Sequence, residues 1–399
     1  MKIALVGPFG LRAKMTMAAR ALPLGMALAR RGHTVQMLLP PWDSPADAGQ
    51  RWDAGGVEVV NMPLPTTPAP LFHVQLTLRF LQHLHTFRPD VVHTFKPKAY
   101  AGLVAWALLQ QRRLGALRPR LVVDTDDWEG AGGWNDLAPY SAAQRRWFAW
   151  QERWGLTHAD ALTVASRTLQ TLVWSLGVSP RTVHYLPNGV DATAPPPAGP
   201  EARARVRAQH GLGDAPVVLL YTRFFEFGVA RIVEIARRIW HEIPQMRLLI
   251  VGKGFFGEEE VLLRLLEDAG YKERAVYAGW VPSAELPTYF AAADVAIYPF
   301  DDTLINRTKC AVKLLDLLVA GAPVVADAVG QNREYIVSEE SGILVPPGET
   351  TAFAAQVARL LRDAALRARL GAAARARLLA AYTWDRLAEV AEQAYALTS

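Results

Sequence analysis

The chain has almost no cysteine: Cys310 stands alone among 399 residues. That excludes an intramolecular disulfide and any Cys-cluster zinc site. No uncharged apolar run reaches ~18 residues, so no membrane-spanning helix is expected. The opening MKIALVGPFG is too short in apolar residues for a secretory leader and reads as a first strand. A cytoplasmic location is the resulting expectation. No basic run interleaves with base-stacking aromatics, and no finger or RNA-binding signature occurs, so nucleic acid is not an expected partner. The first loop lacks G-x-G-x-x-G, and no acidic residue sits where a ribose partner belongs, which disfavours a dinucleotide-dependent dehydrogenase.

What is present is an apolar, periodic chain. Hydrophobic residues make up 51% and charged residues 20%, which excludes wholesale disorder. At ~150 residues per domain the length corresponds to two or three domains. The net charge of +5 is uneven: residues 1–200 hold 20 basic and 13 acidic side chains, residues 201–399 hold 23 and 25. The basic excess of the first half reflects either an Arg-rich composition or attraction to an anionic partner, such as a phosphorylated lipid or a membrane surface.

Short apolar runs alternate with helical patterns. Lys2 to Val6, a helix from about Met15 to Arg31, and Thr34 to Leu39 make a βαβ unit and hence a parallel sheet. Further strands are predicted at 57–60, 90–93, 121–124, 161–164 and 183–186. The stretch TAPPPAGPEA is the clearest linker. The pattern then restarts at 217–221, 247–251, 276–279, 295–298 and 323–326, and the chain ends in helices. This predicts two α/β domains, and open parallel sheets bind ligands at the carboxyl ends of their strands. A cleft between the domains is the default site.

In NRTKCAVKLLDLLVAGAPVVAD, the spacing of Lys309, Lys313 and Asp316 places them on one face of one helix. Lysines near a helix start suit a phosphate or diphosphate. A carboxylate one turn further on suits a ribose diol. An ordinary amphipathic helix explains the same residues.

The stretch LLDLLVAGAPVVADAVGQNREYI resembles the donor-binding segment of retaining nucleotide-sugar glycosyltransferases of family 4, with the GT-B fold. RRGHTVQMLLP, LPNGVD, LLYTRFFEFG, LLIVGKGFFGEEEVL, YAGWVPSAELPTYFAAADVAIYPF, SGILVPPGET and AYTWDRLAEVAEQAY agree in order and spacing. The resemblance covers essentially the whole chain. It implies two Rossmann-like domains facing a central cleft: residues 1–190 for the acceptor, residues 191–380 for the donor, and a closing helix, 381–399, that returns to the first domain. It implies transfer of a sugar from a nucleoside diphosphate donor, with UDP as the default base, to a lipid-linked, polysaccharide or small-molecule acceptor, as in cell-envelope polysaccharide biosynthesis. No metal or other cofactor is implied. A nucleotide-sugar epimerase or hydrolase, and a non-catalytic sugar-nucleotide-binding protein, are the alternatives.

By the same resemblance Arg223 meets the donor diphosphate and Asp316 the ribose. The family's first motif glutamate falls on Thr308, at the donor sugar. The family's diphosphate lysine is missing after Arg223, where Phe227 stands, so Lys309 or Lys313 is expected to supply the charge. Lys253 and the backbone at Val281 are expected at the base. Glu334 matches a donor-side glutamate or else serves its own helix. In GPFGLRAKMT, Gly10 and Lys14 are expected near the phosphates, although a plain capped helix start fits as well.

On the acceptor side, Asp126 and Asp127 follow a strand end and are expected to orient the acceptor hydroxyl or donor sugar. His93 is a further catalytic candidate, with a structural histidine as its bland reading. Residues 128–154 hold five of the twelve tryptophans. Trp128, Trp134, Arg145 and Arg146 are expected at the acceptor. Trp147, Trp150 and Trp154 share helical spacing, which fits core packing, a sugar-stacking platform or a membrane-facing surface. Peripheral membrane contact on the cytoplasmic face, through the first domain, is the corresponding expectation.

Overall fold

The computed structural model describes residues 1–12, 16–114 and 118–396. Within them the chain divides into two compact units: residues 1–191 with 308–310 and 383–399, and residues 192–307 with 311–382.

Among the described residues the first unit has eight strands: β1 (Lys2–Val6), β2 (Thr34–Leu39), β3 (Arg51–Ala54), β4 (Val57–Asn61), β5 (Val91–Phe95), β6 (Arg120–Thr125), β7 (Ala161–Val164) and β8 (Val183–Tyr185). Their order is β3-β4-β2-β1-β5-β6-β7-β8. All neighbours are parallel except the edge pair β3–β4. Alternation along the strands splits the core into two layers. Ile3, Leu5 and Val122 face one side, with the helices Leu22–Arg30 and Trp384–Tyr395. Ala4, Val6 and Leu121 face the other, under Leu71–Phe87 and Ala99–Arg113. Val123 and Leu162 continue that second side under Ala142–His158 and Arg167–Ser175.

The second unit is wholly parallel. Its strands are β9 (Val217–Tyr221), β10 (Arg247–Val251), β11 (Ala275–Gly279), β12 (Val295–Tyr298), β13 (Val324–Asp327) and β14 (Ile343–Val345), ordered β11-β10-β9-β12-β13-β14. Strands covered on both faces read as continuous apolar runs, and VVLLY and RLLIV are of that kind.

The last helix belongs to the first unit. Leu387, Ala388, Ala391 and Ala394 are buried in the layer that holds β1. Val190 bridges to Thr383 just before that helix. Arg30–Asp385 and Arg31–Glu392 ion pairs, both 2.7 Å, flank it.

Within the described residues the helix expected from about Met15 contains a π-helical turn, Met17–Ala21, in which Leu22 N–H bonds Met17 C=O. Such wide turns recur at functional sites, and this one carries Arg20.

Candidate active site

In the first unit the carboxyl ends of β5 and β6 lie side by side, because these strands pair in parallel with Phe95 opposite Asp124. The turn after β5 contains Lys96 and Ala99, both with left-handed backbone, φ 55° and 50°. Non-glycine residues adopt that conformation at a cost of order 1–3 kcal/mol. The Gln151 side chain supports the turn, accepting from Ala99 N–H at 2.9 Å and donating to its carbonyl at 3.1 Å.

The turn aims Lys96 into a ring of carboxylates. Its Nζ stands 3.2 Å from Asp126, 2.8 Å from Asp127 and 3.1 Å from Glu129. Lys98 reaches Glu129 at 2.7 Å and Asn135 at 2.8 Å, with its ammonium over the Tyr140 and Phe148 rings. Thr16 donates to Asp126 at 2.8 Å. Burial alone would lower the Lys96 pKa, but the three carboxylates outweigh it and hold the ammonium charged. Burial would raise Glu129, yet the two lysines bring it down to about 2. Asp127 is raised by burial despite Lys96. Glu152, which accepts from the Glu129 N–H, is pushed by burial to about 8 and holds its proton at neutral pH.

Beneath this ring lies a second layer. Arg20 grips Asp124 through two bonds of 2.8 and 2.6 Å. Thr163 donates to Asp124 at 2.6 Å and meets His93 Nε2 at 3.0 Å. His93 Nδ1 meets the Tyr395 hydroxyl at 2.8 Å. His93 is 0% exposed, so it has no surface on which a substrate could stand. Burial and then the Arg20 charge push its pKa to about 3. The catalytic expectation for His93 is therefore corrected: it is a neutral core histidine joining β5 and β7 to the last helix.

Gly10 also differs from expectation. It is buried, and its amide donates to the Asp43 carboxylate at 3.3 Å. An N–H already given to an anion is not offered to a phosphate. Lys14 lies outside the described residues. Trp128 and Trp134 are partly buried in the segment after β6, and Arg145 and Arg146 are exposed on the helix Ala142–His158. That helix opens with a capping box between Ser141 and Gln144.

In the second unit, polar groups gather at the carboxyl end of β9. The Tyr221 hydroxyl donates to Asp316 at 3.3 Å. Lys313 Nζ lies 3.4 Å from the centre of the Tyr221 ring, a favourable cation–π contact. Arg223, two residues on, is exposed, with its guanidinium 5.7 Å from the Phe255 ring. Lys253 and Trp280 are exposed at the ends of β10 and β11, and Val281 is buried. Glu334 is partly buried within the short helix Asn332–Tyr335. Phe227, where the family's lysine would stand, is buried in the apolar core.

The expectation of one helix face for Lys309, Lys313 and Asp316 is corrected. Two helices are present, Leu304–Thr308 and Val312–Val319, with Lys309 in the break. Ala311 is non-helical, and its N–H bonds Gln331 Oε1 at 2.8 Å instead of a preceding turn. Thr308 and Lys309 are buried, at 0% and 8% exposure. Of the two lysines, Lys313 is the one on the helix with Asp316. Cys310 is partly buried and burial pushes its thiol up, in keeping with a packing role.

Sequence reasoning passed over Tyr221, Arg20, Glu129 and Glu152. An aromatic ending an apolar strand reads as core, and the acids gain meaning only once β5 and β6 are adjacent.

Residues 16–189 match the family described as glycosyl transferase 4-like domain, and residues 215–363 match glycosyl transferases group 1. The chain is 29% identical over 373 residues to a GDP-mannose-dependent alpha-(1-6)-phosphatidylinositol monomannoside mannosyltransferase of Mycolicibacterium smegmatis, covering 90% of each chain. It is 29% identical over 396 residues to a 2-deoxystreptamine N-acetyl-D-glucosaminyltransferase of Streptomyces fradiae, covering 94% of this chain and 89% of that one. A sucrose-phosphate synthase structure from Thermosynechococcus elongatus superposes with a TM-score of 0.74 at 23% identity, over 99% of this chain and 98% of that one.

Proposed function

Since the chain belongs to the group 1, family 4-type glycosyltransferases with the GT-B fold, we propose that it moves a hexose, with retention, from a nucleoside diphosphate to an acceptor hydroxyl. The observation that carries the donor side is the grouping of Arg223, Lys313, Tyr221 and Asp316 at the carboxyl end of β9. Two cations suit a diphosphate, and a carboxylate one turn away suits a ribose diol. Lys253 and the backbone at Val281 flank the base. Asp126 and Asp127 orient the acceptor hydroxyl. In the step itself the bond from the anomeric carbon to the phosphate oxygen breaks and the bond to the acceptor oxygen forms. The acceptor proton passes to the departing diphosphate, so no protein base is consumed. Catalysis then rests on positioning and on charge stabilisation of the leaving group.

The mycobacterial relative is named for GDP-mannose and a phosphatidylinositol-linked acceptor. GDP-mannose with a lipid-linked inositol is accordingly the first pair proposed, ahead of the UDP-sugar that composition of the family alone suggests. Thermal shifts with GDP, UDP, ADP and TDP and their sugars, with and without EDTA, test the donor, because a ligand of the native state raises its midpoint. One base should give a clear shift, unaffected by EDTA. Arg223→Ala and Lys313→Ala should each weaken that binding about tenfold or more. No shift with any nucleotide would overturn the donor assignment. Nuclear magnetic resonance of the first-formed anomer decides retention.

The ribose role predicts a pH dependence. Burial raises Asp316 to about 6, against the lowering by Lys313 and the Tyr221 hydroxyl. The ionised form accepts ribose hydroxyls on both of its oxygens. Nucleotide affinity should therefore fall as pH drops through about 6. Asp316→Asn should bind more weakly at neutral pH and lose this dependence. Titration calorimetry at several pH values reads it, and an unchanged slope in the variant would reject the assignment.

A further inference from the structure

The helices Leu71–Phe87, Ala99–Arg113, Ala142–His158 and Arg167–Ser175 cover one face of the first unit's sheet. Together they contain seven arginines and a single carboxylate, Glu152. Glu152 is 1% exposed, so the outer surface of these helices presents no acid of its own. The other face of the same sheet is different: its last helix sets Asp385, Glu389 and Glu392 against Arg30 and Arg31.

The basic layer also exposes large apolar side chains. Trp106, Trp147, Trp150 and Trp174 are 41%, 46%, 42% and 40% exposed. Leu71, Val74 and Leu78 are exposed on the first of the helices. Trp147 stacks on Trp150 at 4.9 Å, and Trp150 on Trp154 at 6.2 Å. This ladder lies on the surface, between Arg145, Arg146 and Arg153. It is not core packing.

We propose that this helical face docks on an anionic phospholipid bilayer, with tryptophans at headgroup level and arginines on the lipid phosphates. Tryptophan favours the membrane–water boundary, and an excess of arginine over acid favours a negative surface. Arg112 does not count toward that excess, because Asp160 pairs with it at 2.7 Å just beyond the helix Ala142–His158. Charge complementarity selects this occupant. A second copy would set two basic faces against each other. A neutral glycan would use the rings and leave the arginine excess unmatched. No helix among the described residues is long and apolar enough to cross a membrane, so contact of this kind is peripheral. The proposal goes beyond sugar transfer and is tested without any sugar substrate, so its failure leaves the transferase reading intact.

The full chain is to be sedimented with vesicles of phosphatidylcholine alone and of phosphatidylcholine with phosphatidylglycerol. Binding is expected to the anionic vesicles at low salt and should decline as salt is raised. Arg153→Ser should weaken partitioning about fivefold, and Arg153→Lys should restore it. Trp147→Ser with Trp150→Ser should weaken it further while leaving the melting temperature within a few degrees of the parent. Failure to bind anionic vesicles at low salt would overturn the proposal. So would equal binding to both vesicles, or parental binding by the tryptophan variant. A dimer in sedimentation velocity that the tryptophan variant abolishes would assign the face to a second copy instead.

Discussion

Arg20→Met is expected to destabilise the first unit by about 3–5 kcal/mol, because it leaves a buried charge unpaired. Arg20 and Asp124 are 1% and 0% exposed. The guanidinium makes two bonds to Asp124, one to Asn188 at 2.9 Å and one to the Leu186 carbonyl at 2.7 Å. Methionine matches the stem but satisfies none of these acceptors, and among the described residues the Asp124 side chain keeps only its bond from Thr163. The damage spreads, since Thr163, His93 and Tyr395 form the chain that ties β7 and β5 to the last helix. Urea unfolding followed by tryptophan fluorescence reads this unit, which holds ten of the twelve tryptophans. For a unit of this size the thermal midpoint should fall by roughly 10 °C. Arg20→Met combined with Asp124→Leu should regain most of the loss, because removing both charges removes the desolvation cost together with the attraction. A loss below ~1 kcal/mol in the single variant would show that water or a rearranged partner satisfies Asp124.

The strands of both sheets were legible because parallel strands are covered on both faces and read as unbroken apolar runs. The exceptions were β14, only three residues long, and β3, whose Arg-Trp-Asp-Ala is exposed or nearly so and pairs antiparallel at an edge. Nothing in its composition demands burial. The adjacent Gly55-Gly56, with φ of 63° and 86°, marks the turn into β4 better than the strand marks itself. In the second unit Arg223 and Asp316 were visible through their motifs, but the break at Lys309 was not. A continuous helix from Asn306 onward satisfies the same apolar spacing. What interrupts it is Gln331, twenty residues further along, capturing the Ala311 amide. The use of the Gly10 amide by Asp43 is a contact of the same kind across 33 residues. Local pattern thus located the elements, and contacts distant in sequence decided which polar groups remain available for a ligand. His93 shows the limit: a histidine at a strand end is equally compatible with a site and with the core until its neighbours are known.

Lys96→Met should lower kcat about 100-fold, the scale of a roughly 1 Å misplacement of reacting groups, with the donor KM unchanged. Lys96 is a positioning residue, since it acts through Asp126 and Asp127; it belongs to the first unit, whereas Arg223, Lys313 and Asp316 belong to the second. Without it three carboxylates remain around one position, with Lys98 bonded only to Glu129 among them. Asp127 is already raised by burial, and Lys96 is the group that counters this. Its loss should raise Asp127 further, so the ionised form appears only at higher pH. The acid limb of the kcat profile should move to higher pH in Lys96→Met and return toward the parent in Lys96→Arg. The left-handed backbone at Lys96 costs methionine and lysine about the same, because both carry an unbranched side chain. Backbone strain therefore cancels from the comparison. Asp127→Asn separates charge from packing: it should reduce kcat and abolish that component of the pH limb while keeping the melting temperature. A Lys96→Met enzyme that lost activity in proportion to folded protein, with the parent's pH profile, would make the ring of carboxylates a structural device rather than one that holds the acceptor.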